Sequence, residues 1–352
     1  MKLVTYLVVP SINSKDIIDS EKFSKIADFI FSEFTSIEDF RIKNKNSDKT
    51  ILETKNEEKI NYVWYVSNKL NISNNSIIFC QTDLIEHFFS VLNNYNNLQN
   101  IILISHQSDT KVTKKLFNLK PPSVTKWFST NVCYDHKDLI PIPIGVNNSF
   151  YEINPSIDDF NEMKTLSFNE KQEYVYVNFN VNTNQFHRHT VLKHVSNKKS
   201  FVIEKDKISK SEYLKKISKY KYTLCPWGNG FDTHRVWESI YVGSIPIIKS
   251  KNSYKFVSNL PLLNVSSFKN IEIDKLNLDT SNVNLEKIKF KYWDEFINSE
   301  KKLNVAYLLV DDDIKSENQL FRSKKVKLQK YNSFKKRIRN IIFKVYKKIN
   351  RI

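Results

Sequence analysis

The chain has 352 residues, a formal charge of +17 and only 4 glycines, where average usage of about 7% would give roughly 25. This excludes collagen-like and glycine-rich low-complexity classes, and 40% hydrophobic with 26% charged residues excludes global disorder. The three cysteines, Cys80, Cys133 and Cys225, are odd in number and widely spaced, so neither a disulfide framework nor a zinc site is expected, and a reducing compartment fits.

The segment Met1–Pro10 carries one basic residue and a short apolar run without a small-residue cleavage site, which reads as a strand at 2–9 rather than a signal peptide. Further strands are expected at 76–80, 100–105 and 139–144, with helices at 21–34, 57–70 and 82–94. No apolar run approaches the roughly 18 residues of a transmembrane helix. The polar stretch 147–170 is the best domain boundary. Beyond it come strands at 173–179, 200–204, 221–225 and 244–248, and helices near 184–195, 210–218, 232–242 and 284–298. Short strands alternating with longer helices predict an α/β protein with mainly parallel sheets. The organisation is two Rossmann-like lobes, 1–160 and 161–320, and a tail at 321–352. A ligand is expected in the cleft between them, beyond the carboxyl ends of the strands.

The most informative run is Tyr220 to Lys249. A strand ending at Cys225 enters Pro226-Trp227-Gly228-Asn229-Gly230. Asp232 is placed as a helix N-cap, with Thr233 at the first helical position. The helix reaches about Val242, Gly243 suits its C-terminal cap, and a strand follows. A small-residue loop entering a helix N-terminus is an anion site, through free amides and the positive dipole end. Arg235 in the first turn gains nothing from that dipole unless an anion lies in front of it. Glu238 follows three residues later on the same face. An Arg fork suits a diphosphate and a carboxylate suits ribose hydroxyls. An ordinary strand-to-helix turn and a surface i,i+3 ion pair are the alternatives. His234 reads as structural or solvent-facing, and Trp237, Ile240 and Tyr241 as the core face. No Lys-Ser/Thr follows the loop, and Thr233 stands where the third Gly of GxGxxG would be, which excludes both phosphate fingerprints.

Pro226-x-Gly228-Asn229-Gly230-x-Asp232-Thr233-His234-Arg235-x-Trp237-Glu238, followed by Gly243-Ser244-Ile245-Pro246, resembles the donor-binding motif of exostosin-like glycosyltransferases. Weaker similarity runs outward over about 75–298: Val177 to Asn180 with Thr183, Asn184 and Arg188; Trp293; Ser105 to Asp109; Trp127-Phe128 to Asn131; and Ile142 to Gly145. Ser244 stands where relatives often have Cys, and Trp227 where a small residue or Pro is common. The resemblance implies a GT-B fold, two Rossmann-like lobes with an interlobe cleft. It implies transfer of a sugar from a nucleotide-sugar donor to a glycan or lipid-linked glycan acceptor, inverting and without a required divalent metal or other cofactor. Arg235, with Arg188, Asp232 and Thr233, would hold the donor, Glu238 the nucleoside, and the amides of Gly228, Asn229 and Gly230 would approach the phosphates. The catalytic base in this fold usually comes from the first lobe. There His106 and Asp109 follow one predicted strand end and Asp83 another; the choice falls on His106 or Asp109.

Residues 305–313 form an apolar run ending in Asp311-Asp312-Asp313. A metal-binding DxD of a GT-A transferase is one reading; a helix with a solvated acidic end is preferred. Residues 322–352 carry 13 Lys and Arg and no Asp or Glu, which leaves 42 basic and 38 acidic side chains on the remainder. The basic excess therefore sits in the tail, which argues against nucleic-acid binding by the folded body. In 333–350, Phe334, Ile338, Ile341, Ile342, Val345 and Ile349 make an apolar stripe on a basic helix. Such a helix reads as an anionic-membrane-surface element, and places the protein in the cytoplasm, peripherally on the membrane, in surface glycan synthesis. A helix packed back on the first lobe is the other reading. The rival function is a basic peripheral membrane or nucleic-acid-binding protein on an inactive α/β scaffold.

Overall fold

The computed structural model describes residues 12–43, 62–147, 155–163, 166–249, 259–276, 278 and 283–349. The strand expected at 2–9 lies outside them. In chain order the elements are α1 (Ser20–Lys25), β1 (Phe29–Phe31), β2 (Phe34–Ser36), α2 (Ile37–Lys43), β3 (Tyr62–Trp64), β4 (Lys69–Ser73), β5 (Ile77–Gln81), α3 (Ile85–Leu92), β6 (Ile101–His106), α4 (Lys114–Phe117), β7 (Val124–Ser129) and β8 (Leu139–Pro141). They continue with α5 (Ile157–Asn161), β9 (Gln172–Val177), α6 (Gln185–Val195), β10 (Phe201–Ile203), α7 (Lys210–Ser218), β11 (Tyr220–Leu224), α8 (His234–Tyr241), β12 (Ile245–Ile248), β13 (Leu263–Asn264), α9 (Phe290–Ser299), β14 (Leu309–Asp313) and α10 (Lys315–Ile349).

Two five-stranded sheets form the frame, in the orders β1-β5-β6-β7-β8 and β10-β9-β11-β12-β13. Every pairing within them is parallel. Parallel strands with both faces covered need continuous apolar runs. Accordingly Ile77–Gln81 and Ile101–His106 are buried throughout. The second sheet starts at β9, steps out to β10 and returns through β11. Its strand order thus reverses between β9 and β11, and a ligand crevice opens at such a switch point.

The expected α/β class and its two Rossmann-like lobes are present, and the second lobe follows the expected elements closely. The first lobe has a strand inside its sheet, β7, that was not expected, and it departs from expectation in three further places. The helix expected over 21–34 ends at Lys25, and Phe29–Phe31 is a buried edge strand. Asp28 stops the helix there, its carboxylate accepting the Ile77 amide at 2.8 Å. The helix expected over 57–70 is replaced, in its described part, by β3 and the start of β4. In β4 burial alternates, Leu70 and Ile72 inward and Lys69 and Asn71 outward, a period of two that the neighbouring residues obscure. The third departure is the acidic run: Leu309–Asp313 is a strand, antiparallel to β4, with Asp311 paired to Lys69 at 3.1 Å.

The end of the chain returns to the first lobe. The Phe290 ring meets Phe23 edge-on at 5.3 Å and the Phe296 ring meets Phe128 at 5.4 Å. Residues 290–313, counted with the second lobe in the sequence reading, therefore pack on the first. The lobes share one core, in which Trp237, Ile240 and Tyr241 of α8 lie with Ile18, Phe23 and Ile144. Tyr241 Oη accepts the Ile18 amide at 3.0 Å and donates to the Ile288 carbonyl at 2.9 Å. Gly145 has a φ of +70°, and a Cβ there would stand 2.1 Å from the Ile18 carbonyl oxygen. Only glycine permits that close turn within the first lobe, at the edge facing the second.

α10 is a single helix that begins well before the expected 333–350. Its first turns pack on the first lobe: Asn318 Nδ2 donates to the Ser67 carbonyl at 2.8 Å, and Phe321 stacks on His87 at 4.3 Å. Lys325 pairs with Glu33. Farther along, Phe343 is buried against Phe186 and His189 of α6, at 5.1 and 5.8 Å between ring centroids. At 3.6 residues per turn, Phe343 lies about 140° round the helix from Ile338. Docking through Phe343 therefore leaves Phe334, Ile338, Ile341, Ile342 and Val345 facing outward, 41–61% exposed.

Candidate active site

A cleft of about 470 Å³ opens between the lobes at the switch point, and Asn178, Asn180, Arg188, Gly228, Arg235 and Glu238 are among its lining residues. Lys207, Lys210 and Tyr213 add the start of α7. A second cavity, of about 230 Å³, adjoins it and is lined mainly by the first lobe, with Phe34, Tyr62, Gln107 and Ser108. Asp109, Ile144, Asn147 and His234 line both.

The loop after β11 is held from behind by α6. Arg188 is almost wholly buried. Its Nε donates to the Trp227 carbonyl at 2.8 Å, its Nη1 to Asn180 at 2.8 Å and its Nη2 to Pro226 at 3.0 Å. Asn184 Nδ2 donates to the Gly228 carbonyl at 2.9 Å. In a planar trans peptide the N–H points opposite to the C=O. With the carbonyls of 226–228 drawn toward α6, the amides of 227–229 turn the other way. Burial, with Arg235 nearby adding to it, lowers the Arg188 guanidinium to about 9. Arg188, expected to grip the donor, is thus engaged in shaping the loop.

Gly230 serves a different purpose from the phosphate approach expected of it. A Cβ there would stand 2.8 and 2.9 Å from the Asn131 amide atoms. Asn131, left-handed at φ 54° beyond β7, reaches across from the first lobe. Its Oδ1 accepts the Phe231 amide at 2.8 Å and the Asp232 amide at 3.4 Å. Asn229 Nδ2 donates to Asp109 Oδ2 at 3.2 Å, and Lys111 lies 4.3 Å over the Phe231 ring. The loop is clamped between both lobes.

Asp232 is not the helix cap; Thr233 occupies that position. The Asp232 carboxylate is buried and accepts the Ile144 amide at 2.8 Å and Trp237 Nε1 at 3.1 Å. Burial raises this carboxyl to about 7 against those hydrogen bonds. N-cap preference is local, whereas the partner that claims Asp232 lies in the other lobe. Asp232 is therefore an interlobe pin at the edge of the cleft.

The helix it precedes presents the anion-binding elements. Thr233 makes no side-chain cap to α8, and its Oγ1 is buried without a partner among the described residues. First-turn amides have no intrahelical acceptors, so the N-terminus of α8 meets the cleft with its positive end uncapped. Arg235 Nε is likewise buried without a partner. The surface Arg235–Glu238 ion pair does not form among the described residues; Glu238 is buried and accepts Tyr213 Oη at 2.7 Å. Gly243, at φ +71°, ends the helix as expected.

The two first-lobe candidates differ in placement. His106 is fully buried at the end of β6. Its Nδ1 accepts the Gln107 amide at 2.8 Å, so Nε2 carries the proton toward the Pro143 carbonyl at 3.2 Å. Burial pushes the imidazole down to about 3, opposed by Pro143 and aided by His234. His106 lines the smaller cavity, with its one lone pair held by the Gln107 amide. Asp109 is exposed and lines both cavities; it does not cap the following helix, which Thr113 does. Asp83 instead braces the loop, accepting Ser108 Oγ at 2.7 Å. His234, read as structural or solvent-facing, lies where the two cavities meet. Asp311, Asp312 and Asp313 line neither cavity, and no three His, Cys, Asp or Glu among the described residues gather as a metal group.

The family model of the Exostosin GT47 domain matches residues 48–260. The match starts earlier than the resemblance read from the motifs, and it spans β3 through β12 and hence the cleft. No curated protein matches the chain.

Proposed function

Since the chain belongs to the exostosin GT47 family of glycosyltransferases, we propose that it transfers a sugar from a nucleoside-diphosphate sugar to a glycan hydroxyl, with inversion and without a required metal. The donor lies in the larger cavity. The observation that carries this reading is the pairing of an uncapped α8 N-terminus with the partnerless Arg235 Nε at the switch-point crevice. Two cationic features face the same space, and a diphosphate leaving through it is met by both. Glu238, braced by Tyr213, accepts from the ribose hydroxyls. The loop amides turned away from α6 add donors to the phosphate oxygens.

The chemistry follows from the two cavities meeting. An acceptor hydroxyl oxygen in the smaller cavity attacks the anomeric carbon from the face opposite the diphosphate. The carbon–oxygen bond to the diphosphate breaks, and its electron pair leaves with the nucleoside diphosphate. Charge developing on that leaving group meets Arg235 and the α8 dipole, where preorganised donors act most strongly. Stabilisation of the folded chain by one class of nucleotide sugar, among uridine, guanosine and adenosine diphosphate sugars, tests this; indifference to all of them would refute it.

The protein works at the cytoplasmic face of an anionic membrane, in the synthesis of a surface glycan. No helix among the described residues is long and apolar enough to cross a membrane. Outward Ile338, Ile341 and Ile342 on a lysine-rich α10 match a surface-lying helix instead. Replacing all three with serine should weaken binding to phosphatidylserine-containing vesicles by more than about tenfold, since each buried isoleucine contributes about 1.5–3 kcal/mol. Co-sedimentation measures this, and equal binding by the native and substituted proteins would remove the membrane assignment.

A further inference from the structure

We infer that His234, from the donor lobe, is the general base of this reaction, and that the smaller cavity holds the acceptor sugar it deprotonates. The inference rests on the transferase reading and adds to it a proton acceptor outside the first-lobe pair.

Three observations carry it. First, His234 lines both the donor cavity and the smaller one, so it stands where an attacking hydroxyl must meet the anomeric carbon. Second, its tautomer is determined. Nδ1 lies 2.9 Å from the Gly145 carbonyl oxygen, and a carbonyl only accepts. Nδ1 therefore carries the hydrogen and Nε2 the lone pair. Nε2 has no hydrogen-bond partner among the described residues. Third, the orienting carbonyl is rigid: Gly145 is locked in its left-handed turn against Ile18. A base held by a hydrogen bond from its other nitrogen is the arrangement that nucleophile activation requires.

The alternatives are weaker. The lone pair of His106 is committed to Gln107. The Asp109 carboxylate is shared with Asn229 and open to solvent, which suits it to orienting the acceptor. Among side chains, imidazole has the proton affinity best matched to neutral pH. The walls of the smaller cavity fit a sugar: Phe34 and Tyr62 offer apolar ring faces, and Gln107 and Ser108 offer polar groups. In the step itself, the acceptor O–H bond breaks and its proton passes to Nε2. The oxygen bonds to the anomeric carbon as the diphosphate departs with its electron pair. The imidazolium then returns the proton to solvent.

His234→Asn separates chemistry from structure, because its amide nitrogen can still donate to the Gly145 carbonyl while no basic nitrogen remains. Turnover is read as nucleoside-diphosphate release from the UDP-, GDP- or ADP-sugar that the native protein uses, and nucleotide affinity is read by calorimetry. The expected result is a fall in kcat of about a hundredfold or more with unchanged nucleotide affinity, and a smaller fall, under about tenfold, in Asp109→Asn. An activity of His234→Asn within about fivefold of native, or a larger loss in Asp109→Asn, would overturn the assignment. If His234→Asn loses nucleotide binding through misfolding, His234→Gln is read on the same criteria. A native protein that neither binds nor turns over any of these donors would instead bring down the transferase reading beneath the inference.

Discussion

Arg235→Ala should lower kcat/KM for the donor by about two to three orders of magnitude, the effect of removing one preorganised donor from a developing negative charge. The fold should hardly notice. Arg235 Nε has no partner among the described residues, and the first turn of α8 is anchored instead by Asp232, His234 and the buried Trp237. Removing the guanidinium relieves the desolvation of a largely enclosed cation but also takes it away from Tyr213 and the Glu238 carboxylate, and the two effects oppose each other. Unfolding midpoints within about 0.5 kcal/mol of native, beside a collapsed rate, are the expected pair of results. Steady-state kinetics and chemical denaturation on the same preparation measure both. A strong loss of stability would mean that Arg235 is a structural residue.

Arg188→Ala should do the reverse in the first instance. Its side chain satisfies three carbonyls, Asn180, Pro226 and Trp227. Each buried carbonyl left without a donor costs about 1–3 kcal/mol. Relief of the buried charge offsets part of this, so a net destabilisation of about 3 kcal/mol is expected. Donor binding should also fall, because the loop amides keep their direction only while the carbonyls behind them are held. Arg188→Lys should not rescue, since one ammonium cannot reproduce a fork spread over three acceptors. Denaturation midpoints and nucleotide titration test this, and native stability in Arg188→Ala would contradict it.

These two arginines show how far the sequence could be read. Both were legible as donor-site residues, because both belong to a recognisable motif. Which of them faces the ligand was not legible, because two of the carbonyls that engage Arg188 belong to a loop nearly forty residues downstream. Asp232 shows the same limit: its local position signals an N-cap, and its real partner is an amide of the other lobe. His234 stands between Thr233 and Arg235 in the motif, and its signal was that place, but only the Gly145 carbonyl reveals its tautomer. The second sheet was legible almost throughout, since its strands are compact apolar runs separated by well-capped helices such as α7. The first lobe was less so. β1 to β3 have three residues each, too short to impose a period of their own. β14 becomes a strand only because β4 offers it an edge. The tail was legible as an amphipathic helix, whereas its attachment through Phe343 depends on α6.

The scarcity of glycine acquires a physical meaning. Gly145 is required by a close contact with Ile18 within the first lobe, and Gly230 by the contact with Asn131 across the lobes. Gly230 stands where the two halves of the cleft approach closely, and Gly145 holds the first-lobe turn whose carbonyl faces His234.

The central claim is that the α8 N-terminus and Arg235 bind the diphosphate of a sugar nucleotide. The most direct measurement is thermal unfolding of the native protein and of Arg235→Ala with UDP-, GDP- and ADP-sugars in the presence of EDTA. A ligand at 100 times its dissociation constant stabilises by about 2.7 kcal/mol. The account predicts a shift of that order with one nucleotide class, undiminished by EDTA and absent in Arg235→Ala. No shift with any donor, or a shift that survives Arg235→Ala, would contradict it.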